Sequence, residues 1–253
     1  MSSDCRFRGF PAPFGGPASG LWPSGSGSAP PSMPPPPLPC LNADILTDLF
    51  AACSGVISSG SPGPICGWTY FVSFGVSSTI TFSPGSMRFD CPTSNETPAA
   101  SKPISMSGVN NRTVEFTFHE FDDLSPSTIY VVNILDAANV NVISIELGGN
   151  GAVDVGVGPQ SNVPFYEGFW TPNKGRHVVH VTVDNAGIPR VWIDGQEIHM
   201  ALVTFGPLSG YPADSVVALF ADLTNDSVPR TAVLESLFIA SGQIPPTRTF
   251  CRP

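Results

Sequence analysis

Acidic residues are the first candidates for chemistry in this sequence, because a pair of carboxyl groups can cleave a glycosidic bond. The densest acidic run is Glu120-Phe121-Asp122-Asp123, which begins five residues after Glu115. An odd spacing places Glu115 and Glu120 on opposite faces of a continuous strand. Pro126 follows the run and favours a loop there. The sequence therefore predicts no catalytic carboxylate pair, and we expect a chain that is not an enzyme.

The histidines do not form a recognisable site either. His119, His177, His180 and His199 show no metal-ligand spacing with a carboxylate. Because His177 and His180 are three residues apart on a strand, they should face opposite sides of it. We interpret both as surface and packing residues of a hairpin. A Gly-x-Ser-x-Gly nucleophile motif is also absent from the sequence.

Six cysteines, at positions 5, 40, 53, 66, 91 and 251, include no C-x-x-C pair, which argues against zinc and thiol-redox chemistry. Cys53 and Cys66 could close a short loop. Cys40 and Cys251 could meet if the two ends of a domain lie together. The alternative is that several are free, buried thiols, so the redox compartment stays open.

The clearest strands, which would position these side chains, lie between Gly168 and Met200. Valines at 179, 181 and 183 follow His177 with the period of two that a half-buried strand requires. The run Asp184-Asn185-Ala186-Gly187 predicts a turn, and the chain returns through residues 190–193. Asp194-Gly195 predicts a second tight turn. This stretch is therefore predicted to be a hairpin.

Other segments with β-prone patterns follow at short intervals. They are residues 67–71, 78–82, 87–90, 112–118, 128–134, 140–146, 152–157, 216–221 and 231–240. Residues 42–50 fit either a helical turn or a first strand, and residues 92–103 are predicted to be a polar loop. Roughly a dozen strands at this spacing indicate an all-β, antiparallel sandwich or barrel.

Composition supports a β-protein and excludes some partners. Only 12% of the residues are charged, whereas there are 25 glycines and 28 prolines. The net charge of −9 argues against nucleic acid and gives no support for binding to an anionic membrane. No apolar run is long enough for a membrane span, and the first residues do not resemble a secretory signal. Either a signal was removed before residue 1 or the protein is made in the cytosol without export by that route, and Met1 favours the second interpretation.

Residues 1–40 differ from the rest, because 27 of them are proline, glycine, serine or alanine. The run from Pro34 to Pro39 favours an extended polyproline conformation. We predict an arm that contacts neighbouring subunits through four apolar anchors, Phe10, Phe14, Leu21 and Trp22. A flexible linker or tail is the alternative. Residues 41–253 are then the folded domain with a C-terminal tail.

The predicted hairpin resembles the signature of the concanavalin A-like lectin/glucanase superfamily, which includes laminin G-like modules. In that family a Gly-x-Trp-His-His-Val-x-Val-Thr-Val strand leads through a turn to an aromatic residue and then Val-Asp-Gly. The matching segments are Gly175-Arg176-His177-Val178-Val179-His180-Val181-Thr182-Val183 and Arg190-Val191-Trp192-Ile193-Asp194-Gly195. The resemblance covers residues 41–245 and implies a jelly-roll β-sandwich. It implies little about function, because this fold supports many functions.

The same resemblance implies two kinds of binding site. Many relatives hold calcium through loop carboxylates, which makes Asp48, Asp90, Asp122, Asp123, Asp154 and Asp222 candidates. Each could instead cap a turn. A sugar site would need an exposed aromatic residue near Asn and Asp, and the aromatic cluster Phe165, Tyr166, Phe169 and Trp170, predicted to lie in a loop, is the candidate. Trp68 and Trp192 are predicted to be core residues.

The preferred functional hypothesis is a non-enzymatic structural or adhesive module of a large assembly. A virion protein, such as a phage decoration, tail or fibre component, would explain the arm and the missing signal, and would be oligomeric. The alternative is a lectin-like carbohydrate-binding module, which could be extracellular, and a glycoside hydrolase ranks third. Virion subunits are the expected partners, glycans are the partners under the alternative, and calcium is a candidate cofactor only.

Overall fold

A computed structural model describes residues 40–60, 63–71, 77–93, 95–108, 110–119, 128–138, 141–158, 165–173, 175–204, 213–223, 228–247 and 250–251. The four predicted arm anchors, Phe10, Phe14, Leu21 and Trp22, lie outside these residues. So do the acidic residues Glu120, Asp122 and Asp123. The domain boundary near residue 40 stays a prediction.

The described chain contains 17 strands. They are β1 (Leu46–Asp48), β2 (Gly55–Ser58), β3 (Thr69–Tyr70), β4 (Thr79–Ser83), β5 (Ser86–Cys91), β6 (Ala99–Met106), β7 (Arg112–His119), β8 (Thr128–Leu135), β9 (Asn141–Gly148), β10 (Ala152–Val157), β11 (Phe165–Phe169), β12 (His177–Val183), β13 (Pro189–Ile193), β14 (Gln196–Ile198), β15 (Ala201–Thr204), β16 (Ala213–Asp222) and β17 (Arg230–Ser241). No helix in these ranges is long and apolar enough to cross a membrane.

The strands form two antiparallel sheets. Sheet 1 has the order β14-β13-β12-β7-β17-β5-β4-β2, with β1 paired to β17, and sheet 2 has the order β15-β11-β10-β9-β8-β16-β6-β3. Strands that are distant in sequence are therefore neighbours, as β7 is between β12 and β17. Such crossovers distinguish a jelly roll from a simple meander. The predicted all-β jelly-roll sandwich is confirmed.

Aromatic side chains join the two sheets in the core. Phe118 of β7 stacks on Tyr130 of β8 with 5.2 Å between ring centroids, and Phe89 of β5 meets the same ring edge-on at 6.1 Å. All three side chains are fully buried. Since β5 and β7 belong to sheet 1 and β8 to sheet 2, this cluster connects the faces that the alternating patterns predicted to be buried.

The β12–β13 hairpin has the predicted turns. Asp184 Oδ1 accepts hydrogen bonds of 2.8 Å from the backbone N–H of Ala186 and of Ile188. Asp194 and Gly195 have φ values of 52° and 79°, the left-handed conformation of a tight hairpin turn. Local turn chemistry therefore sets the register of this part of sheet 1.

Three predictions about loops were wrong or incomplete. The predicted loop at residues 92–103 includes the start of β6, which pairs with β16 from Ala99 onward. The aromatic segment at residues 165–170, also predicted to be a loop, contains strand β11. Residues 42–50, for which a helical turn and a strand were both open, contain β1. These strands depend on pairing with distant partners rather than on a strong local pattern.

Both chain ends of the domain lie against sheet 1. Cys40 and Cys251 form a disulfide with 4.8 Å between their Cα atoms, and the N–H of Cys251 donates to the carbonyl of Leu41. Phe250 stacks on Phe238 of β17 at 4.8 Å. A second disulfide joins Cys53 to Cys66, whereas Cys91 is a free, buried thiol whose pKa is raised by burial.

Candidate functional site

Strand β11 places the predicted aromatic cluster at one side of sheet 2. It pairs with β10 on one side and β15 on the other. Tyr166 is buried, whereas Phe169 is 74% exposed, so the aromatic residues do not share one face. Gly168 alternates with them and has no room for a side chain, because a Cβ atom would lie 2.7 Å from Met200 Sδ and 2.9 Å from the His199 carbonyl. The strand therefore presents Phe169 outward.

A cavity of about 350 Å³ adjoins this exposed ring, and we call it the aromatic pocket. The residues that define it are Phe169, Trp170, Asn173, His177, Asp194 and Gln196. Trp170 is half-buried, and its ring meets the His177 ring edge-on at 4.7 Å. In the described structure Trp170 Nε1 is buried without a hydrogen-bond acceptor.

His177 holds the polar wall of the aromatic pocket in place. Its Nδ1 lies 2.7 Å from Asp194 Oδ2, and its Nε2 lies 3.1 Å from the Asn173 carbonyl oxygen. Asp194 Oδ1 also accepts a hydrogen bond of 2.9 Å from the N–H of Val178. Each ring nitrogen of His177 therefore lies within hydrogen-bond distance of an oxygen atom. The histidine thus connects the Asn173 segment to the Asp194 turn.

Three carboxylates form a row across sheet 2 beside Phe169. Asp154 of β10 is in register with Glu146 of β9 on one side and with Glu167 of β11 on the other. Ser144 Oγ donates to Glu146 at 3.0 Å. Burial, with the charges of Glu167 and Glu146, raises the pKa of Asp154 to about 6. We call Glu146, Asp154 and Glu167 the carboxylate row.

The sequence did not predict the carboxylate row, although it singled out Asp154. The three residues lie on different strands, so no spacing along the chain reveals that they are neighbours. Glu167 and Phe169 share one face of β11, because they are two residues apart and both exposed. The carboxylate row and the aromatic pocket are therefore adjacent.

The other calcium candidates have protein partners. Asp48 accepts hydrogen bonds of 2.7 Å from Trp68 Nε1 and from Lys102 Nζ. Asp90 is 2.7 Å from Arg88 Nε, and the buried Asp222 is 3.2 Å from Arg230 Nη1. Within the described ranges, no three His, Cys, Asp or Glu side chains are arranged to hold a metal ion. Calcium binding therefore stays a prediction, and the described residues do not provide a set of ligands for it.

The second hairpin histidine has a structural environment. His180 is buried, with Nδ1 2.9 Å from Glu115 Oε2 and Nε2 2.7 Å from the Ile244 carbonyl. His180 and Glu115 are 65 residues apart in the chain. Trp192 packs edge-on against the His180 ring at 5.7 Å. The predicted packing role describes His180 well, whereas His177 also lines the aromatic pocket.

Solved structures similar to this chain share its fold. A sialidase superposes with a TM-score of 0.55 and 13% identity, over 80% of this chain but only 19% of the sialidase. A glycoside hydrolase family protein from Mycobacterium thermorestibile gives 0.52 and 11% identity, over 77% of this chain and 99% of that protein. Botulinum neurotoxin type C, whose cell entry depends on two ganglioside molecules, gives 0.50 and 9% identity, over 78% and 49%.

These similarities confirm the predicted concanavalin A-like fold. At such low identity they establish the fold alone. No protein-family model matches the sequence, and no curated protein matches it. Function therefore has to be inferred from the residues of the aromatic pocket and the carboxylate row.

Proposed function

We propose that this chain is a non-catalytic carbohydrate-binding module and that its ligand occupies the aromatic pocket. The observation that carries the proposal is the position of Phe169, which is 74% exposed beside a cavity of about 350 Å³. An exposed aromatic ring can stack on the apolar face of a sugar. Asn173, Asp194 and Gln196 line the same cavity and offer hydrogen bonds to hydroxyl groups.

Two polar walls of the aromatic pocket are preformed. His177 fixes the Asn173 segment and the Asp194 turn, so these two walls are held together before a ligand binds. A preformed site loses less conformational entropy on binding than a mobile one. The neighbouring solved structures include a sialidase and a glycoside hydrolase family protein, which is compatible with a glycan ligand.

Calorimetry with oligosaccharides tests the proposal. The panel contains neutral, amino and uronic acid sugars, and at least one class should bind. Phe169→Ala should weaken that binding by about tenfold or more, because it removes the stacking surface. Ile188→Ala is the matched control, since Ile188 is also an exposed apolar residue, at 47%, and does not line the pocket. Unchanged affinity in Phe169→Ala, or no binding by any class, would contradict the proposal.

Glycoside hydrolysis is the second candidate, and the carboxylate row favours it. Asp154 is in register with both Glu146 and Glu167, so three acidic residues are neighbours across β9, β10 and β11, and glycoside hydrolases use a pair of carboxyl groups. A carboxyl group with a pKa of about 6, such as that of Asp154, suits a general acid. Release of reducing sugar that Asp154→Asn abolishes would favour this candidate over simple binding.

The role in a virion, the oligomeric assembly and the subunit-binding arm stay predictions. They depend on residues 1–40, nearly all of which lie outside the described structure. Deleting those residues tests them, because particle incorporation that survives the deletion would remove the arm hypothesis. Location in a virion or outside the cell likewise stays a prediction.

A further inference from the structure

The charges around Phe169 bear on which class of glycan the aromatic pocket would accept, so this inference rests on the proposed function. Among the described residues that line the pocket, Asp194 is acidic and contacts His177, and none is a lysine or arginine. Outside the pocket, Glu167 lies two residues before Phe169 on the same face of β11. Side chains at this spacing are about 7 Å apart. A sugar stacked on Phe169 would therefore contact or closely approach Glu167.

Glu167 does not act alone, because the carboxylate row extends its charge across three strands. Asp154 faces Glu167 and Glu146 in register. In the described structure none of the three forms an ion pair with a lysine or arginine, and Ser144 donates a side-chain hydrogen bond to Glu146. Like charges directly opposite on a sheet repel each other. A cationic ligand group would relieve that repulsion, and an anionic group would add to it.

The aromatic pocket provides the independent reason to expect a ligand at this place. It combines an exposed aromatic ring with the polar side chains of Asn173 and Gln196. Phe169 belongs both to the pocket and to the strand face that carries Glu167. The carboxylates thus border a cavity that has its own binding features.

Two described arginines in or next to the hairpin are already paired. Arg190 forms hydrogen bonds of 2.9 Å with both carboxylate oxygens of Glu197. Arg176 pairs with Glu235 of β17. Neither is therefore available to bind the acid group of a uronic or sialic acid without losing its partner. The described surroundings of Phe169 favour positive charge in the ligand.

We propose that the aromatic pocket selects a glycan with free amino groups, a glucosamine-type oligosaccharide, and that Glu167 and Asp154 are the residues that set this preference. The sugar ring stacks on Phe169, and an ammonium group on the same or the next sugar unit lies against Glu167. An N-acetylated sugar lacks this charge and keeps the stacking contact. A uronic acid places a carboxylate against the carboxylate row.

A matched pair of ligands tests the preference. Glucosamine oligosaccharides with free amino groups are compared with N-acetylated oligosaccharides of the same length by calorimetry at pH 7, where Asp154 is ionised because its pKa is about 6. The amino form should bind about tenfold more tightly at low salt. This preference should decrease between about 20 mM and about 300 mM salt, because screening weakens charge interactions at the surface.

Variants separate this inference from the proposed function. Glu167→Gln should weaken binding of the amino form about three- to tenfold and leave the N-acetylated form unchanged. Asp214→Asn, an exposed residue of β16 on the far side of sheet 2, makes the same change in net charge and should affect neither. Asp154→Asn should reduce the preference as well.

The possible failures are distinguishable. If Phe169→Ala abolishes glycan binding but Glu167→Gln leaves the ratio of the two affinities unchanged, the charge preference is overturned and the binding function stands. Tighter binding of uronic acid oligosaccharides than of the amino form would also overturn the preference. If Phe169→Ala has no effect on any ligand, the proposed function itself fails.

Discussion

The β12–β13 hairpin and the β11 side of sheet 2 both carry acidic and aromatic side chains, but the two regions differ in whether the acidic side chains are paired with basic residues. In the hairpin, polar side chains have partners: His177 contacts Asp194, His180 contacts Glu115, and Arg190 contacts Glu197. Beside β11, the carboxylate row has no basic partner in the described structure, and Phe169 is largely exposed. The hairpin uses its polar residues to stabilise the fold.

The difference suggests where to look for function. Crowded carboxylates and an exposed aromatic ring lower stability, so they are expected to persist where they serve binding or catalysis. Paired groups raise stability and need no ligand to explain them. The aromatic pocket lies at the border of the two regions, because His177 and Asp194 come from the hairpin side and Phe169 from β11. The following predictions test whether the two regions differ as described.

The largest effect is expected from His180→Ala in the hairpin. The substitution leaves the Glu115 carboxylate and the Ile244 carbonyl without their donor in a buried environment. Removal of one partner of a buried pair typically costs about 3–5 kcal/mol, so the free energy of unfolding should fall by about that amount in urea denaturation. His199→Ala is the control, since His199 is exposed and should change stability by less than about 0.5 kcal/mol. A loss below about 1 kcal/mol in His180→Ala would show that the hairpin pairs contribute little.

The sequence was sufficient to predict the hairpin because its signals are local. The period of two in residues 177–183 and the turns at Asp184–Gly187 and Asp194–Gly195 depend on neighbouring residues alone. The fold class followed from the same pattern, repeated along the chain. The partners of the histidines were not predictable, because Glu115 and Ile244 approach His180 from strands and segments distant in sequence.

The β11 region was predicted in part. Its aromatic residues were recognised as a candidate binding surface, but the segment was expected to be a loop. Strand β11 exists because β10 and β15 pair with it, and a five-residue strand with a glycine has a weak local signal. The carboxylate row was missed for a related reason. Register between strands decides which acids are neighbours, and a shift by one residue would place Asp154 on the other face.

Asp154→Asn should have an effect of the opposite sign to that of His180→Ala. The pKa of the Asp154 carboxyl is raised from 3.8 to about 6 by burial and by Glu167 and Glu146. A carboxyl whose pKa is raised on folding contributes stability fully below its unfolded pKa and loses that contribution as the pH rises through its folded pKa. Ionised Asp154 therefore destabilises the protein above pH 6.

The measurement compares urea unfolding of Asp154→Asn and the unchanged protein at two pH values. At pH 8 the variant should be more stable by about 1 kcal/mol, a figure reduced from the full shift because Asp154 is partly exposed to solvent. At pH 3 the two proteins should be equally stable, because the carboxyl group is then neutral. Equal stability of the two proteins at pH 8 would show that the carboxylate row does not destabilise the fold, and the proposed difference from the hairpin would then be wrong.

The smallest effect is expected at the exposed pair of the hairpin. Arg190 and Glu197 form a bidentate pair, but their side chains are 59% and 48% exposed. A double-mutant cycle with Arg190→Ala and Glu197→Ala should give a coupling energy of about 0.5 kcal/mol, because solvent screens the charges. The coupling should disappear at about 1 M salt. Arg190 also lies 4.8 Å from the centroid of the Trp192 ring, so Arg190→Ala should retain a small cost at high salt that Glu197→Ala does not show. A coupling energy above about 2 kcal/mol would contradict this explanation. It would mean that burial does not account for the difference between the buried His180–Glu115 pair and the exposed Arg190–Glu197 pair.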